Sequence, residues 1–428
     1  RTEESGKEQK RAEKNRRERK RTEENRKEQK RTEIGKYFPK KEKGGCCGGN
    51  NRLFMLYSYQ FEFAIGGIFM TAQELKEALQ TQTMNEALMK LYIDPDLLAY
   101  QKKRYAESID RFLSYYDDGD LHLFSAPGRT EIGGNHTDHQ RGKVLAASLN
   151  LDIIAVVKKT DDGVIRLKSK GYREDVVDLA TLVPQEKEKD HSPALIRGVA
   201  AAFQKNGHHI GGFEAYTMND VKPGSGMSSS AAFEILVATV LNSLYNDGAV
   251  SAVDLAKYSQ YAENVFFGKP SGLLDQMACS VGGLINIDFA EKENPKIRPL
   301  HLDFGKFGYA LCITDTKGSH ADLTPDYAAV PKEMKEVAAF FGKTVLEEVP
   351  ETEFYQKLTE LRTKLGDRPV LRSLHWYSEN KRVDGEVTAL EEGDFTRFLQ
   401  LVKASGDSSY KYLQNVYSVR KLNEQGLS

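Results

Sequence analysis

The chain has 428 residues and a formal net charge of -1, with 39% hydrophobic and 29% charged residues. This length suffices for two ordinary domains with a sizeable core. After residue 43 the chain is net acidic and no apolar run reaches about 18 residues, so neither a nucleic-acid partner nor a membrane partner is expected.

The cysteines indicate the redox compartment. Cys46 and Cys47 are adjacent, whereas Cys279 and Cys312 lie in segments predicted to be part of the core. This arrangement has neither the spacing of a disulfide framework nor that of a zinc site. The sequence therefore predicts a protein of the reducing cytoplasm.

The first 69 residues differ from the rest of the chain. Residues 1–43 contain 18 Lys and Arg against 10 Asp and Glu, with RTE or RAE opening each block of ten from Arg1. Such a charge run is typical of a disordered segment, and a basic binding arm is the alternative. Arg, Lys, Glu and Gly are also the residues that purine-rich DNA encodes. The codons of Gly66-Gly67 lie just upstream of the codon of Met70, where a ribosome-binding site would precede a start codon. We expect residues 1–69 to be a disordered or translated leader segment, with Met70 as the true first residue.

After Met70, helices and strands are predicted to intermix. Helical spacing predicts helices over 72–92, 96–116, 193–205, 228–245 and 252–267. Apolar runs predict strands over 121–126 (ended by Pro127-Gly128), 150–158, 163–168, 173–178, 212–218, 283–288 and 308–314. Later segments read as mostly helical, with a last helix over Tyr410–Glu424. Without a regular βαβ alternation, the order favours an α+β fold over a Rossmann sheet.

The loop at residues 223–232, PGSGMSSSAA, is the most informative stretch. Gly224 and Gly226 permit positive φ and let a ligand approach the backbone. Three serines, Ser228–Ser230, open a predicted helix whose free amide groups and dipole favour an anion. The order is not that of a Walker A loop. A phosphate-binding loop is predicted, and a serine-capped helix after a glycine turn is the plain structural alternative.

Two further segments place charged residues around glycines. Residues 125–139, SAPGRTEIGGNHTDH, carry Arg129, His136 and Asp138 after a predicted strand. Residues 262–276, AENVFFGKPSGLLDQ, carry Glu263 and Asp275. A polar turn and a surface carboxylate are the structural alternatives, but the co-occurrence of both segments with the loop favours an active site.

These three segments resemble the galactokinases of the GHMP kinase superfamily. The loop is similar to P-x-G-x-G-L-S-S-S-A-A, with Met227 in place of Leu. Residues 128–139 are similar to G-R-x-N-L-I-G-E-H-x-D-Y, and residues 268–276 to G-x-x-C-G-x-M-D-Q. The departures from these two patterns are Glu131, Ile132, Gly133, Asn135, His139, Ser271 and Leu274.

The resemblance implies an α+β, two-domain GHMP kinase fold. It places an N-terminal α/β domain like that of ribosomal protein S5 at residues 70–288. A ferredoxin-like α+β domain would follow at residues 289–428. The glycine-rich third motif of the family, G-G-G-F-G-G, is not found before Ser428, so this second domain is expected to be truncated.

The resemblance also implies roles for individual residues. Asp275 would be the catalytic base or would orient the attacking hydroxyl, and Arg129 would keep it ionised. Tyr327 matches a sugar-binding position but lacks the Arg that usually follows it. The implied sugar-binding residues are Glu131, Asn135, His136, Asp138 and Tyr327. The implied ATP-binding residues are Pro223, Gly224, Ser225, Gly226, Met227, Ser228, Ser229 and Ser230, with Ser230 and Glu263 as Mg²⁺ ligands.

The implied activity is ATP- and Mg²⁺-dependent phosphorylation of the anomeric hydroxyl of galactose, by a cytoplasmic monomer of galactose catabolism. Two alternatives stay open: a non-catalytic sensor of galactose and ATP, and a kinase for another sugar such as N-acetylgalactosamine or arabinose. Asn135 replaces the family carboxylate by an amide, which leaves the identity of the sugar open. Arg129 and Asp275 favour an enzyme, because a sensor needs no base.

Overall fold

The computed structural model describes residues 70–428 except Pro223, Lys292, Asp303, Ala310, 313–323, 419–420 and 426–428. The predictions made for residues 1–69 and for Pro223 lie outside the described residues. Within the described part of the chain, no helix has the length and apolar character needed to cross a bilayer.

Strands and helices intermix as the sequence predicts, and the α+β class is confirmed. The strands are β1 (Leu121–Gly133), β2 (Lys143–Lys159), β3 (Val164–Ser169), β4 (Glu174–Asp178), β5 (Phe213–Asn219), β6 (Leu284–Asp288), β7 (Lys296–Leu300), β8 (Tyr417–Ser418) and β9 (Lys421–Gln425). The helices are α1 (Ala72–Ala78), α2 (Gln82–Tyr92), α3 (Leu98–Phe112), α4 (Ser192–Lys205), α5 (Ser229–Asn246), α6 (Ala252–Tyr261), α7 (Leu274–Val281), α8 (Thr324–Phe340), α9 (Glu351–Gln356), α10 (Leu358–Leu365), α11 (Asp367–Glu391) and α12 (Phe395–Ser408).

Seven strands form one sheet in which β2 is the central element. The order is β4-β3-β5-β2-β6-β7, and β1 pairs with β2 outside this path. Among the described strands of this sheet, β3 and β5 form the parallel pair and the other pairs are antiparallel. The strand β2 begins earlier than the predicted 150–158, so its first part pairs with β6 and its last part with β5. It therefore links two parts of the sheet that are distant in sequence.

Helices cover both faces of this sheet. On one face α1–α3 bury Tyr105, Ile109 and Phe112 against strand residues that include Val156. On the other face α4–α6 pack against residues that include Val157. Alternate residues of β2 thus enter opposite cores, as expected for a strand that is buried on both faces.

Side-chain caps explain where several helices begin. The predicted helix over 72–92 is two helices, because Thr81 accepts a hydrogen bond from the amide of Met84 and starts a new one. Thr71 and Glu74 form a capping box at α1. Ser251 caps α6 by accepting a hydrogen bond from the amide of Asp254.

Strand β1 continues beyond Pro127-Gly128, so the predicted end of this strand at residue 126 is wrong. The pairing with β2 shifts register between Pro127 and Arg129 and again between Glu131 and Gly133. Proline lacks an amide hydrogen and is tolerated at such irregularities, which also redirect side chains. The extension carries Arg129 and Glu131 on the strand itself.

Two predictions near the end of the chain fail. The last helix was predicted over Tyr410–Glu424, but α12 and a following π-helical turn end at Leu413, and β9 pairs with β8. Gln414 adopts a left-handed conformation with φ of 57°, which terminates the helix. No strand includes the described residues of the segment 308–314. The boundaries of the two predicted domains, 70–288 and 289–428, stay a prediction.

Candidate active site

One cleft of about 580 Å³ brings together all of the predicted catalytic and sugar-binding residues. Its walls come from the second half of β1, the turn that follows, the start of α7, the first turn of α8 and the C-terminal helices. The predicted site residues that line it are Arg129, Glu131, Asn135, His136, Asp138, Gly226, Asp275 and Tyr327.

Arg129 and Asp275 form an ion pair in this cleft. The Nε of Arg129 donates to Oδ1 of Asp275 at 2.7 Å, and the Ser228 hydroxyl donates to Oδ2. Desolvation acts to raise the pKa of Asp275, but the Arg129 charge and these hydrogen bonds outweigh it, and the net shift is downward. Asp275 is therefore ionised at neutral pH, as a proton acceptor must be.

The serine loop has the backbone geometry of an anion site. Gly224 and Gly226 have φ of 75° and 76°, and Ser228 is also left-handed, with φ of 56°. A non-glycine residue in this region is strained, and such strain clusters at functional sites. No side chain of the described residues caps the start of α5, which begins at Ser229. Its first amide groups and helix dipole are therefore directed at whatever occupies the loop.

Backbone contacts hold the loop against β1. The amide of Arg129 donates to the carbonyl oxygen of Met227 at 3.1 Å. A Cβ atom at Gly128 would lie 2.9 Å from that same oxygen, so only glycine permits this approach. The side chain of Met227 is buried in the core below the loop. These contacts place the guanidinium of Arg129 beside the loop.

Asp138 lies at the junction of two chain segments. Its Oδ1 accepts from the amide of His139 at 2.8 Å, and its Oδ2 accepts from the amide of Leu274 at 3.4 Å. A Cβ atom at Gly272 would lie 1.7 Å from Oδ2 of Asp138. Desolvation, followed by the charge of Asp275, raises the pKa of Asp138 to about 6. Asp138 is thus a carboxylate that can change charge just below neutral pH.

The other predicted sugar-binding residues surround Asp138. Desolvation raises the pKa of Glu131 to about 8 although its side chain is exposed to the cleft, so this carboxyl group can donate a hydrogen bond when it carries a proton. The rings of His136 and Tyr327 lie 5.1 Å apart. Burial lowers the pKa of His136 to about 3, so its imidazole is neutral. The cleft therefore combines hydrogen-bond donors and acceptors with an aromatic wall.

Asn135 faces the C-terminal helices as well as the cleft. Its Nδ2 donates to Oγ of Ser409 at 2.8 Å, and its backbone carbonyl oxygen lies 2.8 Å from Nε2 of His375. The amide nitrogen is thereby engaged, which leaves Oδ1 as the polar atom of this side chain that is open to a ligand.

Residues of α11 that brace the sugar-binding segment were missed in the sequence. Glu379 accepts from the amide of Gly134 at 3.2 Å, and Nε1 of Trp376 donates to the carbonyl oxygen of Thr137 at 3.2 Å. The carboxyl group of Glu386 is fully buried, and a Cβ atom at Gly133 would lie 1.9 Å from its Oε2. These residues of α11 could have been identified from the sequence, because they are polar residues that recur at helical spacing on a face predicted to be buried.

Glu386 is the least compensated of these groups. Neither of its carboxyl oxygens has a hydrogen-bond partner among the described residues. Desolvation, with a smaller contribution from Glu379, raises its pKa to about 8. The group is therefore neutral over most of the physiological pH range.

Ser230 and Glu263 meet beside the loop. The Ser230 hydroxyl donates to Oε1 of Glu263 at 3.1 Å, and Glu263 lies in the π-helical turn that follows α6. The described residues contain no group of three or more His, Cys, Asp or Glu side chains that could hold a metal ion. Mg²⁺ is commonly held by one or two carboxylates together with substrate phosphates, so a hydroxyl and a carboxylate next to an anion site fit this ion.

Comparisons with known proteins agree on one family. A family model for the N-terminal domain of GHMP kinases matches residues 194–283, and a model for the galactokinase galactose-binding signature matches residues 110–159. The chain is 33% identical over 310 residues to a galactokinase of Streptomyces coelicolor, covering 71% of this chain and 77% of that protein. It is 31% identical over 298 residues to a galactokinase of Clostridium beijerinckii, covering 66% and 73%.

The fold is also similar to a solved structure. Lactococcus lactis galactokinase complexed with galactose superimposes with a TM-score of 0.58 at 24% identity, covering 70% of this chain and 77% of that one. At this level of identity the likeness concerns the fold, and it agrees with the α+β class.

Proposed function

Because this chain belongs to the galactokinase family, we propose that it transfers the γ-phosphoryl group of ATP to the anomeric hydroxyl of galactose. The products are galactose 1-phosphate and ADP. The Arg129–Asp275 ion pair beside the serine loop is the observation that carries this proposal, since it places a proton acceptor next to an anion site. The relatives do not favour the alternatives, which were a non-catalytic sensor or a kinase for N-acetylgalactosamine or arabinose.

Phosphoryl transfer depends mainly on positioning and on neutralisation of charge. Asp275 accepts the proton of the anomeric hydroxyl or orients that hydroxyl for in-line attack. Both of its oxygens are already held by donors, yet each keeps a lone pair for the sugar. Arg129 keeps Asp275 ionised and stabilises the negative charge that develops on the phosphoryl group.

The loop binds the nucleotide phosphates in this scheme. The backbone amide groups at the start of α5 and the dipole of this helix provide the positive potential. The bond from Arg129 to the carbonyl oxygen of Gly226 fixes the loop relative to the catalytic pair. The loop and the proton acceptor are thus part of one rigid arrangement.

Ser230 and Glu263 would hold the Mg²⁺ ion together with the nucleotide phosphates. When bound, Mg²⁺ neutralises phosphate charge and helps orient the transferred group. Ser230 is the second residue of α5, so the proposed metal ligand and the amide groups of the anion site share one helix end.

Sugar recognition is assigned to the polar residues of the cleft. Asp138 would accept hydrogen bonds from sugar hydroxyls, and protonated Glu131 could donate one. His136, Asn135 and Tyr327 would complete the shell. A site built from such groups rejects analogues that lack a matching hydroxyl, because its buried polar atoms would be left unpaired. We also propose that the enzyme acts as a cytoplasmic monomer.

Release of ADP, measured by a coupled assay, tests the proposed function. Galactose, N-acetylgalactosamine, arabinose and a sugar-free control are compared with the wild-type chain and the Asp275→Ala variant. Galactose-dependent ADP release that the variant lacks supports a galactokinase. Binding of galactose without turnover would instead indicate a sensor, and turnover of only one of the other sugars would indicate a different sugar kinase.

A further inference from the structure

Lys269 contacts a carboxylate oxygen of Glu263, one of the two proposed metal ligands. Its Nζ donates to Oε1 of Glu263 at 2.8 Å, and the Ser230 hydroxyl donates to that same oxygen at 3.1 Å. Lys269 thus places a positive charge on the oxygen that a divalent cation would need. An ammonium group and a divalent cation repel each other, and they compete for a single carboxylate oxygen.

The second oxygen of Glu263 is held independently of Lys269. The Nε2 of Gln276 donates to Oε2 of Glu263 at 2.8 Å and to Oε2 of Glu234 at 3.1 Å. Glu263, Gln276 and Glu234 are all buried. Since Gln276 fixes the orientation of the carboxylate, exchange of the group bound at Oε1 leaves Glu263 in place.

Lys269 has an anchored backbone and a partly exposed side chain. The amides of Gly268 and Lys269 donate to the carbonyl oxygen of Glu263 at 3.0 and 3.1 Å. Gly268 has φ of 92°, and this turn brings the lysine back over Glu263. The lysine side chain is 44% exposed, against 2% for Glu263. The ammonium group can therefore swing away without any movement of the main chain.

If Lys269 had a purely structural role, its contact with Glu263 should resemble a permanent ion pair found elsewhere in this protein. Arg197 and Glu188 form a two-pronged pair with two contacts of 2.8 Å, and both side chains are buried. Such geometry suits a permanent contact. Lys269 instead makes one contact with Glu263 and stays half-exposed, and a compact ammonium group with three rotatable donors is suited to changing partners.

We propose that Lys269 is a nucleotide-phosphate-binding residue that exchanges with the divalent cation on Oε1 of Glu263. When the nucleotide brings the cation to Glu263 and Ser230, the ammonium group moves onto the phosphate oxygens beside them. Every charge stays paired in both arrangements, because the phosphates supply the acceptors that the lysine loses at Glu263. This inference rests on the proposed function and adds a residue to the phosphate site.

The Lys269→Met variant tests the exchange in two directions. Mn²⁺ binding, measured by electron paramagnetic resonance without nucleotide, should tighten roughly fivefold because the competing ammonium group is gone. Binding of a non-hydrolysable ATP analogue at saturating Mg²⁺, measured by calorimetry, should weaken by about tenfold. Galactose affinity should not change. The Lys269→Arg variant retains the charge and should keep most of the affinity for the analogue.

Lys257→Met is the matched control, because Lys257 also lies in this region of the chain but contacts Asp254 and the carbonyl oxygen of Glu293. It should leave all three affinities unchanged. Unchanged or weaker Mn²⁺ binding in Lys269→Met, or unchanged binding of the analogue, overturns the exchange. Failure of the wild-type chain to phosphorylate galactose would overturn the proposed function instead, so the two failures are distinguishable.

Discussion

The substitution Asp275→Asn separates the chemistry of the proposed base from its shape. Asparagine can keep its Oδ1 towards Nε of Arg129 and turn its Nδ2 towards Ser228, whose hydroxyl can rotate to accept a hydrogen bond. The fold around the cleft should therefore survive. What the variant loses is the negative charge and the ability to take up the sugar proton.

The size of the effect follows from that loss. General-base catalysis contributes about 10²- to 10⁴-fold to rate, which corresponds to roughly 3–5 kcal/mol of barrier. We expect kcat to fall by that range. Galactose binding should remain measurable, because Asp138 and the other polar residues of the cleft are unchanged.

Steady-state ADP release, with galactose and ATP varied separately, gives kcat and both KM values. Calorimetry gives galactose binding, and thermal unfolding reports on the fold. Asp384→Asn is the matched control, because it removes another carboxylate from a contact of 2.7 Å, on the exposed side of α11 with Lys143. A kcat for Asp275→Asn within about threefold of the wild-type value, against the 10²-fold minimum expected for a lost base, would refute the role of Asp275.

Three further predictions concern the cleft and the helix that braces it. Asp138→Ala should raise the KM for galactose at least tenfold and leave that for ATP nearly unchanged; equal effects on both would contradict its role in sugar binding. Gly272→Ala should produce the same kinetic pattern although it removes no polar group, because its Cβ would lie 1.7 Å from Oδ2 of Asp138 and would displace that carboxylate. Glu386 has a folded-state pKa of about 8 against an ordinary value of 4.5, so its contribution to stability is complete below pH 4.5 and is lost as pH rises through 8. Relative to Glu386→Gln, the wild-type free energy of unfolding should fall by about 1.4 kcal/mol per pH unit between those limits. Urea unfolding of both proteins at pH 5 and pH 8 measures this difference. A difference between the two proteins that is the same at both pH values would contradict the prediction.

Local patterns in the sequence predicted the parts of the site that depend on local backbone. The glycines and serines of the loop define a turn followed by a helix start, and that geometry is set within a few residues. Arg129, Asp138 and Asp275 were recognised from short motifs, and the fold brings them into one cleft.

Contacts between distant segments were not predictable in the same way. The contact between His375 and Asn135 joins residues 240 positions apart, and no short pattern encodes such a pairing. Strand β7 was missed because its residues are mostly exposed and include Pro299, so it lacks the apolar alternation of an inner strand. Strand β1 was predicted to end at Pro127-Gly128 because these residues usually break strands, whereas here a register shift accommodates them.

The distance along the chain between Arg129 and Asp275 has a consequence for how the molecule acquires activity. These residues are 146 positions apart, and the sheet between them closes only when both parts of β2 have found their partners. Contacts of such long range form late, because the entropy of closing a long loop must be overcome first. During refolding, helical signal should return early, and catalytic turnover should reappear only with the last step of assembly.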